Sequence, residues 1–438
     1  MLNKKITALC LVGTLALGGV SAAGSGRANE PGPGTQAAEQ RSLQTGSGLE
    51  EQVVVSASPA GGAEFVPRVS EPDPVGTVSF ANLSGRMREN NFNVLSLGET
   101  IASIEVIDYE KMTDTIRQSL NSIANAQWML TITGNSFASS SLDSSYNSLR
   151  ETFEDLRDGV VQEDNAAVIR QLRNAQDQIV MAGESLYIAL TEMELNDGAL
   201  DRQLAALDRT IQELELRYDL GQISALTLQQ TKGGRTALVS GQQTLGMNIT
   251  NYKTQLELLI GAEQSGSIRL QKLPQVSGTQ LSAMDLEADL ETAQANSYEL
   301  FDAQRTLKDA RQAYVDSGAT DDLEDTRYQI LSARHTWQAA QHTYNATIQN
   351  FENRFRMLYN QVKDYAQVLS AARTALSVEQ DSYAASQLKY DQGTLSKNKL
   401  LEAADTLAAA QEKVDSAAID LFSAYNNYRW AVDYGILN

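Results

Sequence analysis

Cysteine is almost missing from this chain of 438 residues: Cys10 is the only one. It falls inside a stretch that reads as a secretory signal, with Lys4 and Lys5 as a charged start, Ile6 to Val20 as an apolar run and Val20-Ser21-Ala22 as a small-residue cleavage site. Leu9 stands where a lipid-anchored chain needs a small residue before its cysteine. The mature chain is therefore expected to begin near Ala23, without thiol, disulfide or cysteine-metal chemistry. Proline is also scarce and unevenly placed. Six of the seven (Pro31, Pro33, Pro59, Pro67, Pro72, Pro74) precede residue 75 and the seventh is Pro274, so residues 75–273 and 275–438 are two proline-free tracts. Tracts of that length exclude a loop-rich globular enzyme and point to long helices. No apolar run after the signal reaches 18 residues, so no helix is expected to span a bilayer. Positive charge is in deficit: 35 Lys and Arg against 55 Asp and Glu give a net charge of −20, or −22 once Lys4 and Lys5 are cleaved away. That balance argues against nucleic acid as a partner.

Enzyme constellations are missing as well. There is no G-x-S-x-G, no phosphate-binding glycine loop followed by Lys-Ser/Thr and no H-E-x-x-H. The two histidines, His335 and His342, lie seven apart on one predicted helix, about 10 Å along its axis, too far for one metal ion. The cluster Asp321, Asp322, Glu324, Asp325 lacks the alternation and glycine of a calcium loop; it reads better as carboxylates gathered at a helix N-terminus. No catalytic residue, metal site or cofactor is expected, and the chain is read as a non-enzyme.

What is present is periodicity. Residues 23–75 are rich in Gly, Ser, Ala, Glu and Pro and read as a disordered tether. Beyond it, Trp337, Tyr344, Ile348, Phe351, Phe355, Leu358, Val362, Tyr365, Leu369, Ala372 and Leu376 step by threes and fours with Gln341 as the only polar interruption, the seam of a coiled coil. Leu186, Leu190, Met193, Leu200, Leu204, Leu207, Ile211, Leu214 and Tyr218 repeat the pattern, broken only by Asp197, and Leu400, Ala404, Leu407, Val414, Ala418, Leu421, Tyr425 and Tyr428 make a third seam, broken only by Gln411. Beside this third seam Ala403, Ala410, Ala417 and Ala424 recur every seven residues, which predicts a helix packed on two sides. Tyr425, Tyr428, Trp430 and Tyr434 are read as core rather than as a membrane-interface belt.

The chain also repeats itself. Arg217 to Leu228 (RYDLGQISALTL) matches Lys389 to Leu400 (KYDQGTLSKNKL) at an offset of 172, and the same offset lays Leu186-Tyr187 on Leu358-Tyr359. Gly221 and Gly393 can take the left-handed conformation that closes a helix, and Ser224 and Ser396 can cap the next one. The expected organisation is a signal (1–22), the tether (23–75), a helical repeat with its hairpin tip near 218–224 (76–261), a non-helical connector holding Pro274 (262–283), and a second repeat with its tip near 390–396 (284–438). Ser282-x-x-Asp285 reads as the capping box that restarts the helix. The incoming helices are expected over about 163–219 and 322–390.

These residues resemble the TolC family of bacterial outer-membrane efflux proteins. The resemblance is carried by the paired tips, Y-D-L-G-Q-I-S and Y-D-Q-G-T-L-S-K-N-K-L-L-E-A, by Leu407, Ala410-Gln411, Tyr425, Tyr428 and Gly435, and by the ending Leu256, Leu258-Leu259-Ile260-Gly261. Asn91 with Leu95, and Asn296 with Leu300, look like the family's N-x-x-x-L start of each repeat. The fold this implies is all-α or nearly so: two duplicated long antiparallel coiled-coil hairpins forming an α-barrel protomer, with little or no β-structure. It also implies a homotrimer that is a passive conduit, docking a periplasmic adaptor (membrane fusion protein) and an inner-membrane pump. The tips Tyr218, Asp219, Gly221, Ser224, Tyr390, Asp391, Gly393 and Ser396 would then form the docking surface and aperture. Glu402 occupies a position where the family often places a pore-constricting acid, and Lys399 stands about where a second acid is expected. Localisation is implied at the outer membrane.

One departure stands out. The family's membrane barrel needs two β-hairpins per subunit, yet residues 300–330 read as helix, a turn at 316–320 and helix, while 128–133 is the only strand candidate before the serine-rich 136–145. A barrel-less coiled-coil structural or interaction protein of the cell envelope, periplasmic or extracytoplasmic and without transport activity, is the alternative.

Overall fold

The proline-free tracts become helices of unusual length. A computed structural model describes residues 72–133, 136–317 and 325–437, all within a unit spanning residues 65–438. The expected signal, and the tether up to residue 71, lie outside the described residues. Along the chain run β1 (Thr77–Val78), α1 (Phe80–Asn90), α2 (Phe92–Glu105), α3 (Tyr109–Thr133), α4 (Ser136–Arg157), α5 (Val160–Asp219), α6 (Ala225–Leu259), β2 (Arg269–Leu270), α7 (Gly278–Ser282), α8 (Leu286–Asn296), α9 (Tyr298–Ser317), α10 (Asp325–Asp391) and α11 (Lys397–Tyr434). At 1.5 Å per residue, α5 extends about 90 Å and α10 about 100 Å. β1 and β2 pair in parallel through two residues each, and they are the only strands among the described residues.

Two hairpins, α5/α6 and α10/α11, follow from the repeat and pack side by side through α5 and α11. The heptad seam of α10 is buried where expected: Phe351, Phe355 and Val362 are fully enclosed, and they join Leu421, Ala424 and Tyr428 of α11 in one cluster. The two-sided packing of α11 holds, with a correction to the face involved. Ala417 and Ala424 belong to the cluster shared with α10, whereas Ile419 and Phe422 meet Ile188 of α5, and Trp430 enters the core built around Met181, Tyr187 and Leu190. Tyr428 and Trp430 are buried, as core aromatics should be.

The connector between the repeats is more ordered than its composition indicates. Ser277, not Ser282, forms the capping box, with the Gln280 N–H on its hydroxyl at 3.2 Å and the Gln280 side chain accepting from its own N–H at 2.8 Å, which starts α7. Asp285 then caps α8 by accepting from the N–H groups of Glu287 and Ala288, each at 3.1 Å. The expected strand at 128–133 is also corrected. These residues continue α3, whose seam with α4 fits the helical period. The α3/α4 pair, and α9 with the start of α10, occupy the positions where the resemblance asks for membrane strands.

Each repeat closes on its own start. The break between α1 and α2 falls at Asn91, whose carboxamide oxygen accepts from the Asn93 and Val94 N–H groups at 2.9 and 3.2 Å while its Nδ2 donates to the Leu259 carbonyl at 3.0 Å. In the second repeat the break falls at Ser297, and Asn296 donates to the carbonyls of Val432 and Asp433 at 3.0 and 3.2 Å. The buried apolar partners are Val94 and Leu300, so the equivalence runs from Asn91 to Ser297, one residue away from the sequence pairing, and Leu95 is exposed.

Near this closure Glu257 of α6 is buried without a cation. Its carboxylate is cradled by the N–H groups of Gly266, Ser267 and Ile268 at 2.6, 3.1 and 3.0 Å and by the Ser265 hydroxyl at 3.0 Å. Burial raises its pKa, but the backbone bonds from Gly266 and Ile268 and the contacts of Ser265 outweigh it, and the carboxyl sits below the usual range. A folded pKa below the unfolded value, about 4.3 for glutamate, makes this contribution full at neutral pH and lost as pH falls through the folded pKa. Glu257→Gln is therefore expected to cost about 2 kcal/mol at pH 7, the worth of charge-assisted bonds. In urea denaturation across a pH series, that deficit should narrow below about pH 4; a deficit independent of pH would show that the charge does not matter.

Candidate partner interface at the hairpin tips

The two tips are built alike. Helix α5 ends as Gly221 takes φ 71°, and α10 ends as Gly393 takes φ 73°, a conformation that costs an L-residue strain and glycine none. The Gly221 N–H donates to the Tyr218 carbonyl and the Gln222 N–H to the Arg217 carbonyl, both at 2.8 Å; in the second tip Gly393 donates to Tyr390 at 2.8 Å and Thr394 to Lys389 at 2.9 Å. These bonds use the carbonyls that a helix end leaves without partners. The next helices start on serine caps: Ser224 accepts from the Thr227 N–H at 3.2 Å and Ser396 from the Lys399 N–H at 3.4 Å. All the expected cap and turn residues thus fall in the turns where the repeat places them.

Their surroundings are exposed. Tyr218 and Asp219 occupy the last turn of α5, Tyr390 and Asp391 that of α10, and all four are exposed. Beside them Leu216, Leu220 and Leu226 at the first tip and Leu388 at the second are each about 60 % exposed or more. Leucines and tyrosines grouped in water at the ends of long helices form an exposed apolar patch of the kind that interaction partners cover. Lys399 and Glu402 lie one turn apart on α11 and form an exposed ion pair at 2.6 Å. The hydrogen bond it donates to Glu402 raises the Lys399 ammonium above its usual value.

The structure brings the tips together through side chains that the sequence reading did not single out. Glu213 of α5 accepts from Arg217 on its own helix and, at 3.5 Å, from the Asn398 amide of α11. Above the tips, Arg209 pairs with Asp405 and Arg202 with Glu412, linking α5 to α11 across the two repeats. Each of these residues is off its helix's apolar seam, where heptad periodicity carries no information about neighbours. What can be read from one strand of sequence is the seam, not the register of one hairpin against the other.

No protein-family model matches the sequence, and no curated protein matches it. Among solved structures, that of CusC, described in connection with folding and transmembrane channel formation, is 12% identical, with 84% of this chain and 95% of that chain covered and a TM-score of 0.53. The outer-membrane channel OprN is 11% identical over 79% of this chain and 89% of its own, at a TM-score of 0.48. The outer-membrane protein VceC from Vibrio cholerae is 15% identical over 64% and 76%, at 0.45. At such identities it is the fold that is shared, and the TolC-like, nearly all-α fold expected from the tips is the fold this chain has.

Proposed function

We propose that this chain, with its TolC-like fold, is an exported, non-enzymatic protomer of a homotrimeric α-barrel conduit in the cell envelope. Its paired tips dock a periplasmic adaptor and, through it, an inner-membrane pump. The observation that carries this reading is the pair of similarly hydrogen-bonded tips with exposed Leu216, Leu220 and Leu388, each at the end of an incoming helix about 90 to 100 Å long. A single protomer's two long hairpins, α5/α6 and α10/α11, are too few to close a wall by themselves. Closing it needs further copies related by rotation, and a cyclic trimer supplies them.

Light scattering on the mature chain is expected to give one species at about three times the monomer mass, the closure argued from symmetry. A stable monomer across the micromolar range sinks the closed barrel. The helical α3/α4 and α9/α10 segments favour a second reading, an envelope spacer that passes nothing. The two separate in planar bilayers: the conduit gives discrete conductance steps, whereas a trimer that remains soluble without detergent and silent in the bilayer is the spacer.

A further inference from the structure

Glu184 has no part in the tips, yet its environment is hard to explain as packing alone. It lies on α5, buried at 7 % exposure, and forms part of the wall of a cavity of about 1020 Å³ between α1, α11 and the connector. The two hydrogen bonds it receives from the described residues both come from neutral donors and both reach Oε2: Asn426 Nδ2 at 2.9 Å and Trp430 Nε1 at 2.7 Å. Oε1 receives none from the described residues.

The guanidiniums lining the same cavity each pair with another carboxylate, Arg88 through one nitrogen only, its buried Nε having no partner among the described residues. Arg86 pairs with Asp73 at 3.7 Å, Arg88 with Asp177 at 2.6 Å and Arg429 with Asp433 at 2.5 Å. Arg88 and Arg429 favour the Glu184 charge from a distance, but burial outweighs them and pushes its carboxyl up. A buried carboxylate without a cation of its own either holds a proton or receives a cation from outside. The cavity walls decide which cation suits. Phe80 and Phe422 meet edge to face at 4.8 Å, and Trp430 and Tyr434 lie with ring centroids 4.4 Å apart; Tyr425 adds a further ring. Aromatic faces attract cations and accept apolar bodies, while one carboxylate is not a ligand set for a metal ion. The volume is that of a drug-sized ligand site.

We propose that this cavity binds an organic cation with an apolar or aromatic body, its charge set against Glu184 and its body against Phe80, Phe422, Tyr425 and Trp430. The site is separate from the tips and does not depend on the conduit reading. The chain has three tryptophans, so Trp128→Phe with Trp337→Phe leaves Trp430, whose indole N–H already bonds Glu184, as the sole reporter. Titrating this full-length variant with tetraphenylphosphonium is expected to quench Trp430 saturably, and calorimetry on the unsubstituted chain should return the same affinity. Triphenylphosphine oxide, similar in body but neutral, is expected to bind at least tenfold more weakly. Glu184→Gln, which keeps an acceptor for Asn426 and Trp430, should weaken tetraphenylphosphonium at least tenfold and leave the oxide unchanged. The proposal is overturned by no saturable response, by equal affinity for the cation and the neutral compound, or by an unchanged affinity in folded Glu184→Gln. The comparison of the two compounds on the unsubstituted chain decides the matter even where the variant fails to fold.

Discussion

Gly435→Val is expected to lower stability by at least about 4 kcal/mol, at the upper end of what single substitutions do. Gly435 ends α11 at φ 64°, which costs an ordinary residue about 1–2 kcal/mol and a β-branched one more. The larger part is steric. A Cβ at this position stands 2.3 Å from the Ser297 nitrogen, 2.4 Å from its Cα and 2.7 Å from the Asn296 carbonyl carbon, all backbone, with no side-chain end to swing away. Relief requires moving the α8/α9 break off the end of α11, which gives up the two bonds from Asn296 to Val432 and Asp433. Gly159→Val is the control. Its glycine has φ 81° and open space around it, so only the backbone term, about 1–2 kcal/mol, applies. Urea midpoints at constant slope separate the two; equal losses would show that the close approach at Gly435 carries no energy.

The second large effect is on docking rather than stability. In Gly221→Val with Gly393→Val, the added Cβ at either tip has no atom within 4 Å beyond its chain neighbours. The cost is the left-handed backbone alone, about 1–2 kcal/mol per tip, and the cores around Tyr187 and Phe351 are tens of residues away. The helices should remain, with a far-UV signal close to that of the unsubstituted chain. What changes is the turn. Valine at these positions favours continued helix, the bonds from Gln222 to Arg217 and from Thr394 to Lys389 are lost, and Ser224 and Ser396 no longer stand at a helix start. Leu216, Leu220 and Leu388 are then presented in a different arrangement. Adaptor binding in a pull-down is expected to fall more than tenfold, while either single variant loses less. Unchanged capture by the folded double variant refutes the tips as the docking surface.

The tips were legible because they are local. A glycine three residues past a tyrosine, a serine three beyond the glycine and the same string 172 residues later define a turn whose bonds span only a few residues. The seam of α10 was legible for a similar reason: heptad spacing states which face is buried before any neighbour is known. Errors arose where a local signal had two readings. Trp128 to Thr133 mixes β-branched and apolar residues in a way that fits a strand, but their pairing with α4 across a hairpin made them helix. Ser282 and Ser277 both offer a cap, and only Ser277 has a glutamine three residues on to complete the box. Pairing Asn91 with Asn296 matched the side chains that bond the end of each repeat, while the helix caps place Asn91 opposite Ser297.

By itself, the amino-acid sequence determined that this protein is a duplicated pair of long helical hairpins with glycine turns and serine caps, since period, capping and left-handed turns are properties of a few consecutive residues. Only the tertiary structure decided how the hairpins meet: Arg209 on Asp405, Arg202 on Glu412, Gly435 against Ser297, and Glu184 beneath Asn426 and Trp430 in an aromatic cavity. Those partners are 138 to 246 residues apart, and a seam that repeats every seven residues fixes the buried face of a helix without fixing which turn of its neighbour lies opposite.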